Sequence, residues 1–259
     1  MEFAGKVALV TGCSGIGRAV ALRLAAGGAA VMACDIDPEA AAALAEGAAG
    51  AARLAARRAD VADPAQVADT VAACLAAFGG LDIIVNAAAV HPYGTVEQTD
   101  AAGFARCLAV NVGGIHLTAH FGVRHLRASG GGAIVNLASV QGHACQTGVA
   151  AYAASKGAIH ALTRAMALDH AAANIRVNSV SPGSVRTPML TLAAHRFDGA
   201  AADTEAAFRR FGAAHPLGRI AEPEEVAELV AFLAGPRAGF CTGADYRIDG
   251  GLTAGIGVR

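Results

Sequence analysis

The chain has 259 residues, of which 16% are charged, and a formal net charge of -1. That length suits one large domain or two small ones, and a balance with no basic excess and no charged tail speaks against nucleic acid as a partner. The mean hydropathy of +0.45 is high, but the longest stretch free of Asp, Glu, Lys and Arg, residues 128–155, carries Asn136, Ser139, Gln141, His143 and Gln146 and does not read as a membrane span.

The N-terminus enters a strand almost at once, with no basic region followed by a cleavable apolar stretch. Cys13, Cys34, Cys74, Cys107, Cys145 and Cys241 show no C-x-x-C pairing and fall mostly in apolar segments, so a reduced, cytoplasmic setting is expected. Residues 6–10 form a short run rich in β-formers, then come Thr11-Gly12-Cys13-Ser14-Gly15-Ile16-Gly17 and a helical pattern over 18–26. Strand, glycine loop and helix in that order make a phosphate-binding turn. Glycines let the backbone approach a pyrophosphate, and the helix N-terminus stabilises its charge. A plain tight βα turn has the same layout. Residues 30–34 read as a second strand ending at Asp35, which lies 20 residues after Gly15. That is near the spacing of an acid that binds adenosine ribose hydroxyls, although Asp37-Pro38 follows directly and a turn Asp is the alternative.

Residues 38–49 look helical. A strand over 52–59 is placed mainly because the alternation needs one, and Asp60-Val61 closes it. Residues 64–78 form a helix with Asp63 as N-cap. A strongly apolar strand, 81–85, leads to Asn86-Ala87-Ala88-Ala89, whose small side chains would let something flat pack against the backbone. Residues 104–126 read as a long helix interrupted at Asn111-Val112-Gly113-Gly114. Asn beside glycines in mid-helix is locally unfavourable, so a kink with a purpose is expected. His116 and His120 have a metal-ligand spacing, but no acidic partner stands nearby and no metal site is expected.

The strand 133–137 delivers Ser139 just past its C-terminal end, where ligands bind in doubly wound sheets. A helix over 151–168 puts Tyr152 and Lys156 on one face. The ammonium beside the phenol would favour phenolate and lower the tyrosine pKa from about 10. Tyr152 could then exchange a proton with an alcohol or a carbonyl, while Ser139 holds the same oxygen. Y-x-x-x-K by itself also describes an ordinary amphipathic helix, so its companions decide. Strand 175–180 runs into Ser181-Pro182-Gly183. Residues 190–214 are less regular, and their alanines, His195, Phe197, Phe208 and Phe211 suit a substrate lid. Residues 222–233 form a capped helix with Pro223 in its first turn, and 244–248 is the last strand. Strands and helices alternate over 1–259 with no linker and no repeat. The fold class expected is α/β: a single-domain doubly wound parallel sheet with helices on both faces.

Taken together, these residues resemble the short-chain dehydrogenase/reductase family, in family order over about residues 5–251. The elements are the glycine loop, Asp35, Asp60-Val61, the Asn86 stretch, Asn111, Ser139, Tyr152-x-x-x-Lys156, Pro182-Gly183 and Thr187. The resemblance implies a Rossmann-type fold, a nicotinamide cofactor and hydride transfer to or from a carbinol carbon. It implies Tyr152 as general acid/base, Lys156 lowering its pKa and binding the nicotinamide ribose, Ser139 positioning the substrate oxygen, and Asn111 holding a water in a proton relay. Cofactor contacts are implied for Gly12, Ser14, Gly15, Ile16, Gly17, Asp35, Ile36, Asp60, Val61, Asn86, Ala87, Ala88, Tyr152, Lys156, Pro182, Gly183, Val185 and Thr187. Substrate contacts are implied for Ser139, Tyr152, Gln141, His143, His91 and Tyr93. With Gln141 and His143 on an extended loop after Ser139, a substrate with a second polar group, such as a sugar or diol, is expected. Asp35, with no Arg or Lys at Cys13, Ser14, Ile36 or Asp37, favours NAD over NADP.

The family usually forms tetramers through its long central helices, so a homotetramer is expected. Two departures stand out. Gly12 and Gly15 have two residues between them where the family usually has three, and Asn86-Ala87-Ala88-Ala89 replaces Asn-Asn-Ala-Gly. The activity expected is NAD(H)-dependent oxidation of a secondary alcohol, or its reverse. One alternative is a 3-oxoacyl reductase, whose bulky carrier would need a basic patch near the entrance; Arg124 and Arg127 are the candidates. The other is a non-catalytic nicotinamide-binding protein, which the shortened loop favours.

Overall fold

Short apolar runs become strands here because helices cover both of their faces. The computed structural model describes residues 1–47, 53–199, 201 and 203–255. The strands β1 (Val7–Thr11), β2 (Ala30–Asp35), β3 (Leu54–Arg58), β4 (Ile83–Asn86), β5 (Gly132–Leu137), β6 (Ile175–Pro182) and β7 (Asp245–Ile248) form one seven-stranded sheet. All its pairings are parallel, in the order β3-β2-β1-β4-β5-β6-β7. The helices are α1 (Gly15–Ala26), α2 (Pro38–Gly47), α3 (Pro64–Phe78), α4 (Ala101–Leu108), α5 (Gly114–Ala128), α6 (Ala150–His170), α7 (Pro188–Asp198), α8 (Thr204–Ala213) and α9 (Pro223–Ala234).

Side chains alternate across the sheet with the period of two that a strand imposes. In β1, Ala8 and Val10 join the core closed by α1, α2 and α9, while Val7 and Leu9 join the core closed by α3, α5 and α6. Caps set several helix ends. Asp63 accepts from the N–H groups of Ala65 and Gln66 at the start of α3, and Glu222 and Glu225 form a reciprocal capping box on α9. The strand order reverses between β1 and β4, and the carboxyl ends of those strands open the crevice where doubly wound sheets hold ligands.

The expected strand over 52–59 is observed as Leu54–Arg58, with Ala52 outside the described residues, as are Ala48 and Ala49 of the expected helix over 38–49. The interruption expected at Asn111 is a π-turn, Ala109–Gly113, between α4 and α5. Gly114 brings this helix against the loop after β3: a Cβ there would lie 2.9 Å from Val61 Cγ2. The segment 190–214 is more regular than expected. It holds most of α7 and all of α8, capped by the Thr187 and Asp203 side chains, with residues 200 and 202 outside the described residues.

Candidate active site

The loop from β1 to α1 is shaped by glycine. Gly12 has φ +89° and Gly15 φ +47°, a region that glycine enters without steric cost. A Cβ on Gly17 would lie 2.2 Å from the Gly12 carbonyl oxygen, so no larger residue fits. The shortened loop is latched to β2. Cys13 N–H donates to Asp35 Oδ2 at 2.7 Å, and Asp37 N–H donates to Oδ1 at 3.0 Å. Thr11 Oγ1 accepts from Ala87 and Ala88 N–H, which ties the loop to the segment after β4. Burial, reinforced by the Asp35 charge, pushes the Cys13 thiol up to about 12, so it stays protonated.

Gly12, Ser14, Gly15, Ile16, Gly17, Asp35, Ile36, Asp60, Val61, Ala87, Ala88 and Thr187 line one crevice along the carboxyl ends of the strands. Glycine backbone lining the crevice at the α1 N-terminus and a carboxylate at the end of β2 fit a dinucleotide. Asn86 departs from expectation. The alternation of β4 turns its side chain to the α5–α6 face, away from the crevice. There Thr118 Oγ1 donates to Asn86 Oδ1 at 2.7 Å, Asn86 Nδ2 donates to Asn136 Oδ1 at 2.9 Å, and Asn136 Nδ2 donates to Thr163 Oγ1 at 3.0 Å. Two cations near this end were not anticipated. Arg106 lines the crevice and pairs with Asp60 at 2.9 Å. Arg58 stands opposite Asp35 in the β2–β3 register, with its Nε 3.3 Å from the Ile36 carbonyl; its place at the end of β3 was the available signal.

Ser139, Tyr152 and Lys156 meet where this crevice deepens. Lys156 is 3% exposed. Its Nζ donates to the Leu137 carbonyl at 2.7 Å and lies 5.3 Å from the Tyr152 ring centroid. The tyrosine shift runs opposite to expectation. Burial pushes the Tyr152 phenol above its ordinary value, with the Ser139 hydroxyl pulling it back, and burial pushes Lys156 down to about 8. Desolvation sets the sign of the tyrosine shift, and the Lys156 ammonium is directed at the Leu137 carbonyl. Asn111, carried inward by the π-turn, clamps the segment after β4. Its Oδ1 accepts from Val90 N–H at 2.8 Å, and its Nδ2 donates to the Val90 carbonyl and to Ser155 Oγ at 3.0 and 2.9 Å.

A second chamber continues from the crevice and shares Ile16, Ala87, Ala89, Thr187 and Met189 with it. It holds Ser139, Tyr152, Lys156, Gln141, His91, Tyr93, Pro182, Gly183 and Val185, and its far wall is Leu190, Ala193, Phe197, Phe211 and Leu252. The His91 ring stacks on Tyr152, with centroids 3.8 Å apart, and on Tyr93 at 4.4 Å; Phe197 meets Tyr93 edge-on at 5.4 Å. Burial, with Lys156 adding, pushes His91 down to about 4, and its buried Nε2 has no protein partner among the described residues.

His143 does not join the chamber. The loop after Ser139 is a 3₁₀ turn, Val140–Gly142, which swings His143 onto Asp245 with Nε2 2.7 Å from Oδ2. Gln141 Oε1 accepts from Gln146 N–H at 2.9 Å. Arg124 and Arg127 lie in the last turns of α5, which lead into the start of β5, so they sit at the end of the sheet opposite the site.

A family model described as Enoyl-(Acyl carrier protein) reductase matches residues 10–253. Cis-4-hydroxycyclohexanecarboxylate dehydrogenase of Sinomonas cyclohexanicum is 41% identical over 97% of this chain and 98% of its own length. Cyclohexanol dehydrogenase of Acinetobacter sp. (strain SE19) is 37% identical over 98% and 97%. The solved structure of Thermoplasma acidophilum aldohexose dehydrogenase superposes with a TM-score of 0.91 at 32% identity, covering 99% of this chain and 97% of that one. Fold, family model and relatives agree: this chain is an oxidoreductase of CH–OH groups that belongs to the short-chain dehydrogenase/reductase family.

Proposed function

We propose that the enzyme uses NAD to interconvert a ring-bearing secondary alcohol and its ketone. The observation that carries this reading is a chamber walled by stacked rings, His91 on Tyr152 and on Tyr93, at the point where Ser139 and Tyr152 converge. When bound, the nicotinamide supplies the hydride acceptor or donor. Ser139 and Tyr152 hold the substrate oxygen, Tyr152 takes or returns its proton, and the two hydroxyls stabilise charge developing there. Lys156, fixed by the Leu137 carbonyl, favours the phenolate as the proton leaves. Asn111 keeps residues 87–90 in place, and the proton relay is assigned to it on family resemblance.

Asp35 is assigned to the adenosine ribose hydroxyls. A phosphate on that ribose would meet a like charge, which is unfavourable, and Arg106, one of the nearby cations, is already paired with Asp60. The substrate is assigned to the alicyclic alcohols, because two of the relatives are named for cyclohexane-ring alcohols and the far wall offers Leu190, Ala193 and Leu252. Extra hydroxyls left unpaired against such a wall cost about 1–3 kcal/mol each. Measured kcat/KM for cyclohexanols, aldohexoses and linear diols decides this: aldohexoses or linear diols leading the series would overturn it.

Two further assignments accompany this reading. Exposed Phe104 and Leu168 lie on α4 and α6, and these helices with α5 are proposed to bury them in a homotetramer; a monomer by light scattering at micromolar concentration would refute it. The described cysteines are all unpaired, which suits a reducing cytoplasm. Among the described residues no helix is long and apolar enough to cross a membrane.

A further inference from the structure

We propose that His143, His160 and Asp245 form a site for a divalent transition metal, separate from the cofactor crevice. The three come from different elements. His143 ends the turn that begins at Ser139, His160 lies one helical turn beyond Lys156 on α6, and Asp245 opens β7. His143 Nε2 is 2.7 Å from Asp245 Oδ2, and His160 Nε2 is 3.4 Å from Oδ1. One ligand atom from each residue can be chosen so that all lie within 4.8 Å of one another. The imidazole rings face each other with centroids 4.2 Å apart and planes 25° apart. Stacked rings direct their lone pairs side by side, so the exposed His143 must turn for two imidazole nitrogens and a carboxylate to converge, a donor set that suits zinc, cobalt or nickel.

The surroundings resemble those of a built site. Ser179 and Ser181 hydroxyls donate to Asp245 Oδ1 at 2.5 and 2.9 Å, and outer donors of this kind orient a ligating carboxylate. Gly142 lets the turn sit directly on His160, since a Cβ there would lie 2.5 Å from its Cε1. The His160 and Asp245 side chains are 8% and 14% exposed while that of His143 is 37% exposed, which leaves an entry path and room for water ligands.

The proton arrangement can accommodate an ion. Binding takes the lone pair of each Nε2, so each imidazole must carry its proton on Nδ1. Neither Nδ1 bonds another protein group among the described residues, so that tautomer breaks no second contact. His160 gives up its 3.0 Å bond to Ser181, whose hydroxyl keeps its bond to Asp245. Zinc ligands sit at about 2.0–2.2 Å, which puts tetrahedral neighbours about 3.4 Å apart. The two histidines close to that spacing through His143, the exposed member. Arg164 and Lys156 bring positive charge toward His160, and with one carboxylate against them the site is weaker than a closed structural zinc centre. An occupied site would join the turn after Ser139 to α6 and β7.

The test uses untagged full-length protein, stripped with chelator and dialysed. Zn²⁺ is titrated by calorimetry, and Co²⁺ is followed by visible absorption. We expect one ion per chain, at least tenfold weaker binding in His143→Ala and in Asp245→Asn, and unchanged binding in His116→Ala. The His116 variant controls for the His116–His120 pair on α5. Melting without metal checks that each variant folds; if Asp245→Asn does not, the exposed His143→Ala decides alone. Absence of stoichiometric binding, equal binding in His143→Ala, or loss in His116→Ala overturns the proposal.

Discussion

Replacing Asp35 by Asn and by Ala separates two tasks of one carboxylate: facing the ribose and latching the short glycine loop through Cys13 N–H at 2.7 Å. Like charges 4 Å apart repel by about 1 kcal/mol in water and about 4 kcal/mol at an effective dielectric of 20. Arg58, opposite Asp35 in register, offsets part of this. We therefore expect wild-type kcat/KM to favour NAD over NADP by at least about tenfold, equivalent to roughly 1.4 kcal/mol. Asp35→Asn keeps an oxygen for the buried Cys13 N–H, gives up the exposed bond from Asp37 N–H and removes the charge, so the ratio should fall toward one mainly through better use of NADP. Asp35→Ala also narrows the ratio, but it leaves the buried Cys13 N–H unpaired, at a cost of about 1–3 kcal/mol. For a chain of this size each kcal/mol lowers Tm by about 2–4 °C, and both cofactors should bind more weakly in that variant. Initial rates with each cofactor and thermal melts of the three proteins give the answer. Equal use of the two cofactors by the wild type would refute the ribose assignment, and identical melting of the Asn and Ala variants would refute the latch.

Tyr152→Phe should lower kcat by at least about two orders of magnitude, the usual loss of a positioned acid/base, while fluorescence titration still shows NADH binding. Lys156 titrates at about 8 in the folded protein against about 10.4 in an unfolded chain. Between those values the unfolded chain binds more protons, so this group adds stability as pH rises through the window. Buried Cys13, Cys34 and Cys74, pushed up to about 12, oppose that trend. The readable quantity is therefore the difference from Lys156→Met in urea melts from pH 8 to 10; parallel curves would contradict the lowered lysine. His91→Phe keeps the stack on Tyr152 and removes the nitrogens. It should reduce kcat/KM at least about tenfold, or 1.4 kcal/mol, for a cyclohexanol with a second polar substituent and leave plain cyclohexanol little changed. Because His91 is neutral above about pH 4, its removal should not alter the pH–rate profile from 6 to 9.

The crevice was legible because Gly12 to Gly17, Asp35 and Ser139 lie at or just past carboxyl ends of strands, which alternation and chain order locate. Tyr152 and Lys156 were legible differently, as residues four apart on one face of α6. β3 was harder: Leu54, Ala55, Ala56, Arg57 and Arg58 lie on an edge strand, and only Leu54 in it is strongly apolar. What escaped depends on rotation about the backbone or on burial. A 3₁₀ turn in place of an extended loop redirected His143, and desolvation decided the sign of the Tyr152 shift. The face taken by Asn86 follows from counting along β4, where Ile83 and Val85 face one core and Ile84 and Asn86 the other. α7 and α8 were signalled by Thr187-Pro188 and Asp203-Thr204-Glu205, both helix starts.

The buried chain from Thr118 through Asn86 and Asn136 to Thr163 has a direction. Every donor points the same way, from α5 across β4 and β5 toward α6. The threonine hydroxyls can donate or accept, so the constraint lies between the two amides: turning Asn86 over would set its oxygen against that of Asn136, and turning Asn136 over would set its NH2 against that of Asn86. Neither amide can reverse alone, so the four side chains behave as a single part joining two helices along one face of the sheet. An apolar replacement at one position strands its neighbours at about 1–3 kcal/mol each, whereas replacing both partners of a bond by apolar groups of the same shape can be nearly neutral. Across related sequences these four positions should therefore change in concert or stay fixed.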